Sequence, residues 1–140
     1  MIKENKEFKV SVVIPTYNRV AYLGRAINSV LKQSYPVSEI IVIDNGSTDQ
    51  TLSFIKKNFT RIRVITEKKR GVSFARNLGI KNCKYNWIAF LDSDDEWITD
   101  KIEKQFVLLK ESNFKYQFIH TNEIWIKNGM IKNQKKKHLK

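Results

Sequence analysis

Four short apolar runs, separated by segments of helical period, constrain this fold more than any other feature of the sequence. The run "FKVSVVIP" (8–15) is rich in β-branched residues and ends at a proline, the pattern of a central strand buried on both faces. "EIIVIDN" (39–45) and "NWIAFLD" (86–92) share that character, and "RIRVITE" (61–67) reads as a shorter strand. After the first run, "RVAYLGRAINSVLKQS" sets Leu23, Ala26, Ile27, Val30 and Leu31 at helical spacing. "STDQTLSFIKKNF" opens on capping residues and aligns Leu52, Ile55 and Phe59, while "GVSFARNLGIKNCK" turns Phe74, Ala75 and Leu78 inward. Beyond the fourth run, Ile102, Phe106 and Leu109 mark a further helix. Phe114, Tyr116 and Phe118 then alternate as a partly exposed strand ahead of a hairpin at "KNG" (127–129).

The order β-α-β-α-β-α-β predicts an α/β fold, an open and mostly parallel sheet with helices on both faces. Such a sheet binds its ligands at the carboxyl ends of the strands, where strand order reverses. The segments at those ends are "PTYNR" (15–19), "DNGSTD" (44–49) and "DSDD" (92–95), so polar and acidic groups gather where this fold builds sites.

The bulk composition narrows the class. The chain has 140 residues, 41% hydrophobic and 29% charged, enough for one domain or a substantial piece of one. No apolar run reaches the roughly 18 residues of a membrane span. The start "MIKENKEFKV" has no apolar signal core, and Cys83 stands alone, which together point to the cytoplasm. The net charge is +12, and the last fourteen residues hold six lysines and no acid. We therefore divide the chain into an α/β domain at 1–126 and a basic segment at 127–140. That segment is a solvated end or a peripheral contact with an anionic membrane inner face. A nucleic-acid partner would leave the acidic cluster without a purpose.

Asp92 and Asp94 are two residues apart, so in extended backbone their carboxylates leave on one side and repel. A cation between them relieves that cost. Hard oxygen ligands suit Mg²⁺ or Mn²⁺, which keep waters and complete their shells with substrate phosphates. No Gly-x-Gly-x-x-Gly follows the first strand, and no P-loop lysine motif occurs, which argues against a fold that cradles pyrophosphate on backbone amides. A metal must then neutralise any phosphorylated ligand. Asp44 can cap its own turn or accept from a base, and Arg76 can lie exposed on its helix or reach the acidic loop.

The segments "VSVVIPTYNR", "IIVIDNGSTDQT", "RGVSFARNLGI" and "WIAFLDSDDEW" closely resemble, in order and spacing, the family-2 glycosyltransferases with the A-type nucleotide-sugar fold. The resemblance implies that Pro15, Thr16 and Tyr17 line a nucleotide pocket, with Ser93 beside it. It implies that Asp44 accepts from a uracil ring, Arg76 lies by base and phosphates, and Asp92 contacts the ribose. Asp94 would bind Mn²⁺ or Mg²⁺, with Asp95 as a neighbouring or alternative ligand. The donor would be a nucleotide-diphosphate sugar, a UDP-sugar by the likeness around Asp44, transferred with inversion to a glycan, lipid or protein.

Direct inversion needs a base that takes the acceptor's proton. In the family that base resembles a carboxylate from the second half of the domain, often in a Glu-Asp pair, and none follows Trp97 here. Glu123 is the one carboxylate after Glu111 and sits too early to match. The expectation is a donor-binding half whose catalytic base lies elsewhere. The alternatives are a nucleotide-binding or assembly domain without catalysis and a sugar nucleotidyltransferase, which would need a glycine-rich loop in place of "PTYNR". His120 and Cys83 read as structural, and His138 is assigned nothing.

Overall fold

The computed structural model describes residues 8–132. Strands β1 (Val10–Thr16), β2 (Glu39–Asp44), β3 (Arg63–Thr66) and β4 (Trp87–Phe90) form one sheet in the order β3-β2-β1-β4. Every neighbouring pair is parallel. Helices α1 (Val20–Leu31), α2 (Thr51–Asn58), α3 (Val72–Asn82) and α4 (Lys101–Glu111) alternate with the strands, as the sequence pattern predicts. The chain steps outward through β1, β2 and β3, then returns past β1 to β4. Because parallel crossovers are right-handed, that reversal puts α3 on the face opposite α1 and α2. It also opens a crevice between the carboxyl ends of β1 and β4.

The core forms where β-branched side chains are buried on both faces of the sheet. Val13, Ile41 and Ile43 are fully buried with Ala75 of α3, and Ile65, Leu78 and Ile88 flank them. On α1, Leu23, Ala26, Ile27 and Val30 are buried. The close approach of α3 requires Gly79, since a Cβ there would stand 2.3 Å from Val13 Cγ1. Leu31 and Phe74, expected to face inward, are exposed. Leu31 ends α1, and Phe74 lies under the Lys69 ammonium, because Ala75 and Gly79, one turn apart, occupy the inward positions.

At the amino end of the sheet, the Glu39 side chain is 6% exposed and anchors three neighbours. It accepts from Ser11 Oγ (2.7 Å), the Lys84 N–H (2.9 Å) and Arg63 Nη1 (2.6 Å), and Arg63 also bonds the Asn82 carbonyl. Burial alone would raise the Glu39 carboxyl, but these donors outweigh it and hold its pKa below the usual value of 4.5. A depressed folded-state pKa means stability that is present above the unfolded value and lost as pH falls through the folded one. Glu39→Gln is therefore expected to cost about 1–3 kcal/mol at pH 7. It should also flatten the acid limb of the stability curve below about pH 4.5, the ordinary glutamate value. Urea melts of both proteins from pH 3 to 7 test this; parallel curves would contradict it.

The chain divides into two compact units, Met1–Leu108 and Leu109–Lys140. In the second unit the strand expected across Phe114, Tyr116 and Phe118 does not form. Asn113 and Phe114 adopt left-handed backbone (φ 53° and 57°), and the Phe114 N–H closes on the Leu109 carbonyl at 2.7 Å. That closure ends α4 and leaves the aromatic alternation without a ladder. The hairpin at "KNG" does form: β5 (Trp125–Lys127) pairs antiparallel with β6 (Met130–Lys132), and Asn128 and Gly129 supply the two positive φ angles of its turn. Most of the basic segment, 133–140 with His138, lies outside the described residues. Among the described residues no helix is long and apolar enough to cross a membrane.

Candidate donor-binding site

The loops after β1 and β2 are stitched together before any ligand is considered. Asn18, at φ 49°, accepts the Thr48 N–H (2.8 Å) and the Asp49 N–H (3.2 Å) on its side-chain oxygen, and its own N–H donates to Ser47 Oγ. Asp49 then accepts from Val20 and Thr51, the first residues of α1 and α2. One carboxylate thus faces the positive ends of both helices. The Thr51 hydroxyl, with the backbone donors, draws the Asp49 pKa down.

Between these loops, α3 and the segment after β4 lies a cavity of about 290 Å³. Pro15, Thr16 and Tyr17 supply the β1 side of the wall, Ala75 and Arg76 the α3 side, and Asp92, Ser93 and Asp94 the β4 side. All but two of the residues that the sequence nominated therefore meet at the strand-order switch. The exceptions are Asp95, which is not on the wall, and Asp44, which is 1% exposed and also off it. The Asp44 oxygens accept the Gly46 and Ser47 N–H groups at 3.2–3.3 Å, so the carboxylate is committed to the turn.

The acidic segment is a turn rather than extended backbone: the Asp95 N–H bonds the Asp92 carbonyl at 3.0 Å. The two-residue alternation argument does not describe it, yet both carboxylates still reach one cavity. The segment is fixed at both ends, by Leu91 N–H on the Val13 carbonyl and by Trp97 N–H on Ser29 Oγ. Ser93 is buried, whereas the Asp92 and Asp94 side chains are about half exposed, at 49% and 51%. Each carries a cation. Arg76 Nη2 meets Asp92 Oδ1 at 2.7 Å, so Arg76 does reach the acidic loop, and Arg19 Nε lies 3.5 Å from Asp94 Oδ2. Two buried polar atoms in this wall, Thr16 Oγ1 and Arg76 Nε, have no hydrogen-bond partner in the protein. Such groups are costly unless a ligand meets them.

Three contributors escaped the sequence reading. Asn45 lines the cavity and clamps the loop after β3: its amide donates to the Glu67 and Lys69 carbonyls, and its oxygen accepts the Gly71 N–H at 2.8 Å. Gly71, at φ 129°, adopts a backbone that side chains oppose. Arg70, on the same loop, lies 4.0 Å above the Tyr17 ring and bonds its hydroxyl at 2.9 Å, which fixes the ring at the cavity's edge. The third is Arg19. The first of these has a weak signal in "DNG"; the two arginines have none, because their partners are distant in sequence.

The family model described as "Glycosyl transferase family 2" matches residues 11–136. The chain belongs to the family-2 glycosyltransferases. An uncharacterised glycosyltransferase of Rickettsia felis is 50% identical over 116 residues, 81% of this chain and 19% of that relative. Among solved structures, S. aureus TarS (1–349) in complex with UDP superposes with a TM-score of 0.69 at 30% identity, over 76% of this chain and 33% of that one. The mannosyltransferase PcManGT of Pyrobaculum calidifontis, in complex with GDP-Man and Mn²⁺, gives 0.58 at 25% identity, over 65% and 29%. This family-2 chain therefore spans about a fifth of that relative's length and a third or less of these structures.

Proposed function

We propose that this chain is the donor-binding half of a glycosyltransferase and that its cavity holds a UDP-sugar together with Mn²⁺ or Mg²⁺. The observation that carries the reading is the convergence of Asp92, Asp94 and Arg76 with the unpartnered Thr16 hydroxyl on one wall at the strand-order switch. The UDP and Mn²⁺ complexes of two family-like structures support the same ligands.

The residues fit a hard divalent cation of a particular kind. Among the described residues no group of three His, Cys, Asp or Glu side chains could hold a metal by itself. Asp94 offers a half-exposed carboxylate on the cavity wall, held by one long ion pair. A cation that takes one or two carboxylates and completes its shell with phosphates and water is what such a site accommodates. When bound, it would neutralise the diphosphate leaving group. Pro15, Tyr17 and Ser93 shape the pocket, Thr16 donates into it, and Asp92, aligned by Arg76, accepts from the ribose. Asp44 serves base recognition through the loop it organises, with Asn45 presented at the wall.

In transfer with inversion, the acceptor oxygen attacks the anomeric carbon and the bond to the diphosphate breaks as the acceptor's proton leaves. Both cavity carboxylates are paired with arginines and neither is offered as that base. Calorimetric titration tests the donor reading. UDP should bind far more tightly with Mn²⁺ or Mg²⁺ present than in chelator; equal affinity in chelator would count against it.

A further inference from the structure

We propose that Arg19 is a donor-site residue that exchanges anions, neutralising Asp94 before ligands bind and turning to the donor's diphosphate once a divalent cation occupies Asp94. The inference rests on the donor-site reading and adds to it a residue and a coupling between the two ligands.

Arg19 has a fixed root and a loose arm. Its N–H donates to Thr51 Oγ1 at 3.1 Å, and its carbonyl accepts from Leu23 at 2.9 Å as the first bond of α1. Asn18, immediately before it, is held by the next loop through Ser47, Thr48 and Asp49. The side chain, in contrast, is 45% exposed and meets Asp94 across a long 3.5 Å contact, with a weak 3.4 Å bond to the Asn18 carbonyl. Arg19 lines the same cavity as Asp92 and Asp94.

Its position is electrostatically unfavourable without an anion. Arg19 is the N-cap of the twelve-residue α1, and no acid stands in that helix's first turn. A cation there opposes the positive end of the helix dipole. Asp49 offsets the dipole at the Val20 N–H, and Asp94 is the acid that meets the guanidinium itself before ligands bind. The neighbouring acid Glu96 is held separately by Arg25, one to two turns further along α1, at 3.1 Å.

Asp94 cannot serve a divalent cation and Arg19 equally. When the cation takes the carboxylate, the guanidinium loses its counter-charge beside a corner that now carries surplus positive charge. A diphosphate restores the balance, and a planar guanidinium suits phosphate oxygens. Arg19 thereby disfavours metal alone and favours metal with donor, so the two ligands bind cooperatively.

Calorimetry on the full chain separates the cases, with Mn²⁺ alone and with UDP at saturating Mn²⁺ as probes. Arg19→Ala should bind Mn²⁺ alone about threefold tighter, the scale of an exposed ion pair. It should bind UDP in Mn²⁺ about tenfold more weakly, the scale of a lost charge-assisted hydrogen bond. Arg19→Lys should recover part of the UDP affinity, and unchanged thermal melting of both variants would show intact folding. Unchanged or weaker Mn²⁺ binding, or unchanged UDP affinity, in Arg19→Ala overturns the exchange while leaving the donor site standing. A wild-type chain that binds no UDP with any metal overturns the donor reading itself, and the exchange with it.

Discussion

Asp94→Ala is expected to weaken Mn²⁺-dependent UDP binding by about a hundredfold, ~2.8 kcal/mol. The carboxylate is the wall's hard ligand for a cation, and no three-residue cluster among the described residues can take over from it. Asp92 is not an equivalent substitute, because Arg76 holds it at 2.7 Å, a shorter contact than the 3.5 Å between Arg19 and Asp94. Asp94 is half exposed in a turn and carries little packing, so the variant should melt within about 0.5 kcal/mol of wild type, as surface substitutions do. Its weak metal-free affinity for UDP should remain, since the residues of the β1 wall are untouched. Titrations with UDP in Mn²⁺ and in chelator measure both quantities. A variant that kept its Mn²⁺ dependence would move the cation to another ligand.

The second large effect is on folding. Gly79→Ala is expected to lower stability by about 3 kcal/mol, the upper range for overpacking a well-filled core. The added carbon would meet both Val13 methyls, at 2.3 and 3.0 Å, and Val13 belongs to one of the two inner strands of the sheet. Neither partner can give way cheaply: Val13 is fully buried among Ile41, Ile43 and Ala75, so α3 itself must lift. Because α3 carries Ala75 and Arg76 on the cavity wall, UDP affinity should fall as well. Gly24→Ala is the control. Its new carbon would meet the far end of the Phe54 ring at 3.0 Å, where a flexible side chain can rotate away. Urea denaturation of the two variants should therefore differ by about 2 kcal/mol, near the difference between a core clash and a surface adjustment. Equal losses would mean that α3 is not seated as tightly as its glycine requires.

The four strands were legible because burial on both faces demands uninterrupted β-branched runs, and "SVVIP" or "IIVID" can be little else. Parallel pairing followed from the intervening helices, and the cavity followed from where parallel sheets reverse their order. What period cannot report is pairing between residues far apart in the chain. Arg70 fixes Tyr17 across 53 positions, and Asn45 fixes the Gly71 loop across 26. The exposure of Phe74 was illegible for a related reason: helical spacing names a face, but the Gly79–Val13 contact decides which edge of that face is innermost. Asp44 shows the converse. Its type and place at the end of β2 suit either a cap or a ligand, and the amides of Gly46 and Ser47 use it as a cap. Alternation misled at Phe114, where two left-handed residues break the strand that the aromatic spacing suggested.

The most direct test of the donor site is anomalous diffraction from a crystal of this chain grown with UDP and Mn²⁺. One strong manganese peak is expected at roughly 2.1 Å from an Asp94 oxygen, a distance usual for a small hard cation, shared with the UDP phosphates. UDP bound elsewhere, or a manganese peak away from Asp94, would contradict it.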